Sequence, residues 1–146
     1  MVIPAHHKLS DKYLLTHTIK SKAANVYIYN KCLAVVEVHE GVTLSYLTGA
    51  SLLIRALFIF KNRKWAYISN RINSYSVVPT DYDHLHKIGS LKVLSIVRNP
   101  QEVNKALPIE SIFCRKPLKL FNELDEALDW SFYSLNELRK LEKNTS

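Results

Sequence analysis

Glycine is scarce in this chain, with three in 146 residues. That shortage argues against glycine-rich loops, collagen-like repeats and long flexible linkers. Cysteine is almost as rare. Cys32 and Cys114 stand far apart, no Cys-x-x-Cys pair occurs, and no Cys/His spacing matches a zinc module. Both are expected to be free thiols in a reducing, cytoplasmic setting. There is no Gly-x-Ser-x-Gly elbow, P-loop or dinucleotide fingerprint, and no internal repeat or low-complexity stretch. No basic segment followed by an apolar core is found near the start, so a signal peptide is not expected. With these signatures missing, the chain is read as non-enzymatic, with no cofactor and no metal site.

What is present describes one ordinary domain. Hydrophobic residues make up 47% of the chain, and a chain of this length buries roughly 70% of its surface on folding. The net charge of +7 is unevenly spread. Residues 55–119 carry twelve Lys and Arg against four Asp and Glu, whereas residues 120–146 carry three against six. A basic middle suits an anionic partner, and equally a solvated surface. The apolar stretch from Gly41 to Phe60 has a polar stripe at helical spacing that includes Ser45, Thr48 and Arg55. Arg55 at mid-depth would cost about 2.5–3.5 kcal/mol in a bilayer, so the stretch is read as a helix packed on a sheet and not as a membrane span.

Along the chain, residues 1–13 show no period and are expected to be poorly ordered, leaving 14–146 as a single α/β domain. Asn25–Tyr29 and Cys32–Val38 read as a hairpin joined by the two-residue link Asn30-Lys31. A strand around Leu15 to Ile19 is a weaker signal. Thr43 is the expected N-cap of the long helix, which ends at the basic cluster Lys61-Asn62-Arg63-Lys64. Trp65–Ser69 then reads as a central strand. A helix is expected to start at Pro79-Thr80-Asp81 and stop near Gly89, with Leu91–Val97 as the next strand. A further helix begins at Asn99-Pro100 and is cut short by Pro108. Leu118–Phe121 is a last strand, and Asn122 caps a final helix with acidic residues in its first turn and Arg139, Lys140 and Lys143 at its end. The fold class is therefore α/β: a mixed, mostly parallel sheet of four to five strands, an N-terminal hairpin and flanking helices.

The apolar strand closing on Glu37 to Gly41, its covering helix and the run Tyr67-Ile68-Ser69-Asn70-Arg71-Ile72-Asn73-Ser74-Tyr75-Ser76-Val77 together resemble bacterial STAS-like proteins, the anti-sigma-factor-antagonist-like group. The tail Phe113-Cys114-Arg115-Lys116-Pro117, followed by Phe121 to Ala127 and Trp130, carries the same likeness, which covers most of the chain from Asn25 onward. The resemblance implies a sheet flanked by helices and a non-catalytic, regulatory role in binding another protein. It also implies phosphorylation of a hydroxyl in the loop after the central strand. The equivalent loop here carries Ser74, Ser76 and Thr80, and no acidic-Ser-Gly step. A second branch of the group implies a carrier or sensor of a small apolar or anionic ligand.

The residues themselves place the binding site at Asn70, Arg71, Asn73, Ser74, Tyr75 and Ser76. This loop leaves the carboxyl end of a central strand, where open α/β sheets build their sites. Its amides, guanidinium, hydroxyls and phenol can grip an anion or a peptide backbone. They can equally tie the loop to the sheet edge. The histidines suggest no metal site: His84 and His86 diverge on a helix, His6 and His7 lie in the unordered start, and His17 and His39 have no visible partner. Glu123, Asp125, Glu126 and Asp129 read as helix-capping and solvating groups. Lys61, Arg63, Lys64, Arg71, Arg98, Arg115, Lys116 and Lys119 lack the interleaved aromatics of a single-strand nucleic-acid surface, so nucleic acid is not the expected partner. Trp65 and Trp130 are read as core or edge anchors.

Overall fold

The computed structural model describes residues 2–73, 76–77, 82–98 and 114–145. Its strands are β1 (Leu15–Lys20), β2 (Ala24–Tyr29), β3 (Leu33–Val38), β4 (Thr43–Leu44), β5 (Trp65–Asn70), β6 (Ser76–Val77), β7 (Leu91–Val97) and β8 (Leu118–Phe121). Its helices are α1 (Tyr46–Phe60), α2 (Tyr82–His86) and α3 (Leu124–Thr145). Six strands form a mixed sheet in the order β1-β2-β3-β5-β7-β8, and β4 with β6 forms a separate short parallel pair. The pairings β1-β2 and β2-β3 are antiparallel, and β3-β5, β5-β7 and β7-β8 are parallel.

The strand count exceeds the four to five expected, because Leu15–Lys20 is a full edge strand. Only Ile19 in it is buried. An edge strand with one buried residue has little apolar alternation to betray it. Asn30 and Lys31 both have positive φ (52° and 60°), the conformation that a hairpin turn of matching twist demands. Tyr29 pairs with Leu33, so Asn30–Cys32 form a three-residue link in place of the two-residue link expected. The Asn30 side chain also accepts from Leu14 N–H (2.8 Å) and donates to the Lys12 carbonyl (3.1 Å), which fastens the chain entering β1 to the hairpin.

The long helix starts later than expected. Thr43 belongs to β4, and Ser45 is the N-cap, in a reciprocal box with Thr48. At the other end, α3 begins at Leu124 with Ala127 N–H bonded to the Glu123 carbonyl, one residue beyond the expected cap at Asn122. The helices expected to begin at Pro79–Asp81 and at Asn99-Pro100 have those starts outside the described residues. Among the described residues no helix is long and apolar enough to cross a membrane. Cys32 and Cys114 are free, and burial pushes both thiols up.

Strand alternation sorts the core into two layers. Val26, Ile28, Ala34, Val36 and Val38 face α1, where Leu52, Ala56 and Phe60 meet them. Phe60 stacks on Trp65, with ring centroids 4.7 Å apart. The opposite face carries Tyr27, Tyr29, Leu33, Val35, Ala66, Ile68, Val93 and Val97 under α3, whose Ala127, Leu128 and Leu135 recur at helical spacing. The sheet steps one way from β3 to β8, and α1 and α2 pack on the same side, in keeping with the single handedness of such crossovers. Among the described residues, the other face is covered by the helix α3. The segment before β1 covers the rest: Tyr13 is buried in this layer, and Leu9 packs against it.

Candidate functional site at the carboxyl edge of the sheet

On β3 the side chains of Leu33, Val35 and Glu37 share one face, and on β5 those of Ala66, Ile68 and Asn70 share it. The third position in each series is polar, and both lie at the carboxyl ends of neighbouring parallel strands. The Asn70 amide donates to Glu37 Oε2 at 2.8 Å. In open α/β sheets this edge is where sites are built.

The third wall is the segment before β1. A turn closed by His7 N–H to the Pro4 carbonyl (2.9 Å) brings two adjacent imidazoles to the same carboxylate. His6 Nε2 lies 2.8 Å from Glu37 Oε1 and 3.0 Å from Oε2, and His7 Nε2 lies 2.5 Å from Oε2. Behind it, His7 Nδ1 is 2.6 Å from the Tyr29 hydroxyl, and the edge of the His7 ring meets Tyr27 at a centroid distance of 4.9 Å. The His7 side chain is fully buried and that of Glu37 nearly so, whereas the His6 side chain is 44% exposed. The cluster therefore opens to solvent on its His6 side.

The electrostatics fix the direction of the bond to Glu37. Burial pushes the Glu37 carboxyl up, but the hydrogen bond and charge of His7, with the bonds from His6 and Asn70, outweigh it and hold the group below its usual value. Burial, and then the Glu37 charge, push the Tyr29 phenol up, so it stays protonated. A carboxylate only accepts and the protonated phenol has a proton to give. His7 Nε2–H thus donates to the Glu37 carboxylate, and the direction of the Nδ1–Tyr29 hydroxyl contact follows from whether that nitrogen carries a proton. The arrangement holds a buried carboxylate with three donors aimed at it and one imidazole edge facing solvent.

Of the residues singled out from sequence, Asn70 turns inward into this cluster. Arg71 is half-buried and its N–H bonds the Val97 carbonyl (3.1 Å), so the chain stays in register past β5. Asn73 donates to the Val38 carbonyl at 3.2 Å, which ties the loop to the end of β3. Ser76 lies in β6, paired with Thr43, and its side chain is outside the described residues, as are Ser74, Tyr75 and Thr80. The fold thus brings Asn70, Arg71 and Asn73 to one edge.

His6, His7 and Glu37 are the members that sequence reasoning missed. A readable signal existed for Glu37: a carboxylate stands where the alternation of Leu33 and Val35 calls for an apolar residue. The histidines gave none, because His7 meets Glu37 across thirty residues of chain. Three other histidines have partners of their own: His17 with Thr16, His39 with the Ser21 carbonyl, and His86, which accepts from Arg115 N–H. Among the basic residues, Lys116 and Lys64 are engaged within the fold. Lys116 Nζ donates to the carbonyls of Ile88 (2.7 Å) and Leu91 (2.6 Å), and Lys64 pairs with Glu142. Trp65 is buried with its indole N–H on Ser90, and Trp130 packs against Phe121. In comparisons with protein-family models, curated proteins and solved structures, nothing matches this chain.

Proposed function

We propose that this chain is a non-catalytic, regulatory binding domain of the STAS-like kind, and that another protein docks where β3 and β5 end and the Asn70–Ser76 segment begins. The observation that supports this reading is the way Asn70 to Asn73 is held. Asn70 is locked inward on Glu37 and Asn73 on the Val38 carbonyl, while Ile72 between them is 43% exposed. A segment fixed at both ends presents its apolar side chain at low ordering cost, which is what favours docking. An apolar centre within a polar rim is the usual anatomy of such a surface. Ser74, Ser76 and Thr80 remain the hydroxyls for regulation: a phosphate there would add about −1.5 to −2 charge close in sequence to Arg71.

The rival reading, a carrier of a small apolar or anionic ligand, needs room between sheet and helix. Leu52, Ala56 and Phe60 of α1 are buried against the sheet, which speaks for the docking reading. The test is a photoreactive residue placed at position 72 in the native cell, with one at the exposed Tyr133 of α3 as control. The expected result is one protein cross-linked from position 72 only, with binding weakened about tenfold or more by Ile72→Asp. A co-purifying lipid or metabolite, with no protein captured at position 72, would overturn the reading.

A further inference from the structure

Among the described residues, His6, His7 and Glu37 form a group whose donor atoms all lie within 4.8 Å of one another. Two imidazole nitrogens and a carboxylate oxygen are the donor set that a zinc-type cation takes when it keeps a fourth position open. Imidazole selects late first-row metals over magnesium and calcium, which prefer oxygen. We propose that His6 Nε2, His7 Nε2 and Glu37 bind one zinc-type divalent cation, with Tyr29 and Asn70 orienting His7 and Glu37 from behind. The proposal is independent of the protein-docking reading.

The surroundings meet the needs of such a site beyond the three donors. A metal-bound imidazole must give its second N–H to a partner, and His7 Nδ1 already lies 2.6 Å from the Tyr29 hydroxyl. On metal binding the ring proton sits on Nδ1 and donates to the Tyr29 oxygen, freeing the Nε2 lone pair for the cation. Asn70 Nδ2 occupies one lone pair of Glu37 Oε2 (2.8 Å) and so fixes the plane of the carboxylate. The buried carboxylate gains a partner of opposite charge, and the cation enters past His6, whose side chain is 44% exposed. Four-coordinate ligand distances of 2.0–2.2 Å put neighbouring donor atoms roughly 3.3 Å apart. The present imidazole–carboxylate contacts of 2.5 to 3.0 Å therefore open by a few tenths of an ångström to about 0.8 Å. The turn closed by His7 N–H on the Pro4 carbonyl carries both rings, the partly exposed His6 and the buried His7, and it takes up this adjustment.

The test uses the untagged, metal-stripped 146-residue chain, titrated with Zn²⁺ by calorimetry and with Co²⁺ by visible absorption. The expected result is one equivalent per chain, a four-coordinate Co²⁺ spectrum and no competition from excess Mg²⁺. His6→Ala, at a partly exposed position that the fold tolerates, weakens binding at least tenfold. Tyr29→Phe, which keeps the buried ring and removes only the hydroxyl, weakens it about 10- to 100-fold. His17→Ala leaves it unchanged. Absence of saturable Zn²⁺ uptake, or uptake that is indifferent to both His6→Ala and Tyr29→Phe, would overturn the proposal.

Discussion

Glu37 occupies the position in β3 that Leu33 and Val35 occupy in the two preceding repeats, and it is nearly as buried as they are. A carboxylate there is tolerable only because His6, His7 and Asn70 all bond to it. Replacing it with Ala strands His7 and Asn70 in the interior with donors unmet, at a cost of about 3 kcal/mol in urea unfolding. Glu37→Gln, which keeps one acceptor oxygen, should cost less. A loss under about 0.5 kcal/mol for Glu37→Ala would mean the bonds do not persist in solution. The reverse case is Ser131 on α3. Its hydroxyl is fully buried and has no hydrogen-bond partner among the described residues. Ser131→Ala removes an unmet polar atom from the helix–sheet contact and should raise stability by about 1 kcal/mol, measured in the same unfolding experiment.

At the scale of elements, the sequence was legible where a segment carries a compact apolar run, whether it lies inside the sheet like β7 or at its edge like β8. The strands Leu91–Val97 and Leu118–Phe121 have the bounds that their apolar runs indicate, whereas the turn at Asn30-Lys31 stands where its chemistry places it but is one residue longer than expected. Thr43 misled because both it and Ser45 can cap a helix. The β4–β6 pairing, which decides between them, is a contact with distant chain that no local pattern announces. The chemistry of α1 rests on its last turn. Phe60 is fully buried and stacked on Trp65, so Phe60→Ala should cost about 3–5 kcal/mol in unfolding free energy. Ile54 and Phe58, which α1 turns outward, are exposed, and alanine there should change stability by less than about 0.5 kcal/mol.

For the whole molecule, the central feature is the segment before β1, which acts as a wall of the sheet and of the site. Of the cluster at the carboxyl edge, Asn70 was legible, because it closes a readable strand. His6 and His7 were not, because residues 2–13 have no period and the side chains that anchor them lie far along the chain. Two anchors hold them: His7 on Glu37 and Tyr29, and Tyr13 with Lys12 on Asp129 of α3. Burial pushes the Asp129 carboxyl up, but the Tyr13 hydroxyl and Lys12 outweigh this and hold it below its usual value. A lowered carboxyl contributes stability that is present in full above the unfolded value of about 4, and that is lost as pH falls through the folded value. Proteolysis of residues 2–13 should therefore accelerate below about pH 4, ahead of the strands, and Asp129→Asn should reduce that pH dependence to the share carried by Glu37, the other lowered carboxyl that holds the segment. An unchanged profile in the variant would remove Asp129 from the tether.

Amide hydrogen exchange at neutral pH, resolved to residues 2–13, tests the wall most directly. The amides of His7 and Tyr13, bonded to the carbonyls of Pro4 and Ser10, should exchange far more slowly than in a free peptide. In Glu37→Ala the protection at His7 should fall while β5 and β7 keep theirs. Exchange of the whole segment at free-peptide rates in the wild-type chain would contradict the account, because the site would then have no third wall.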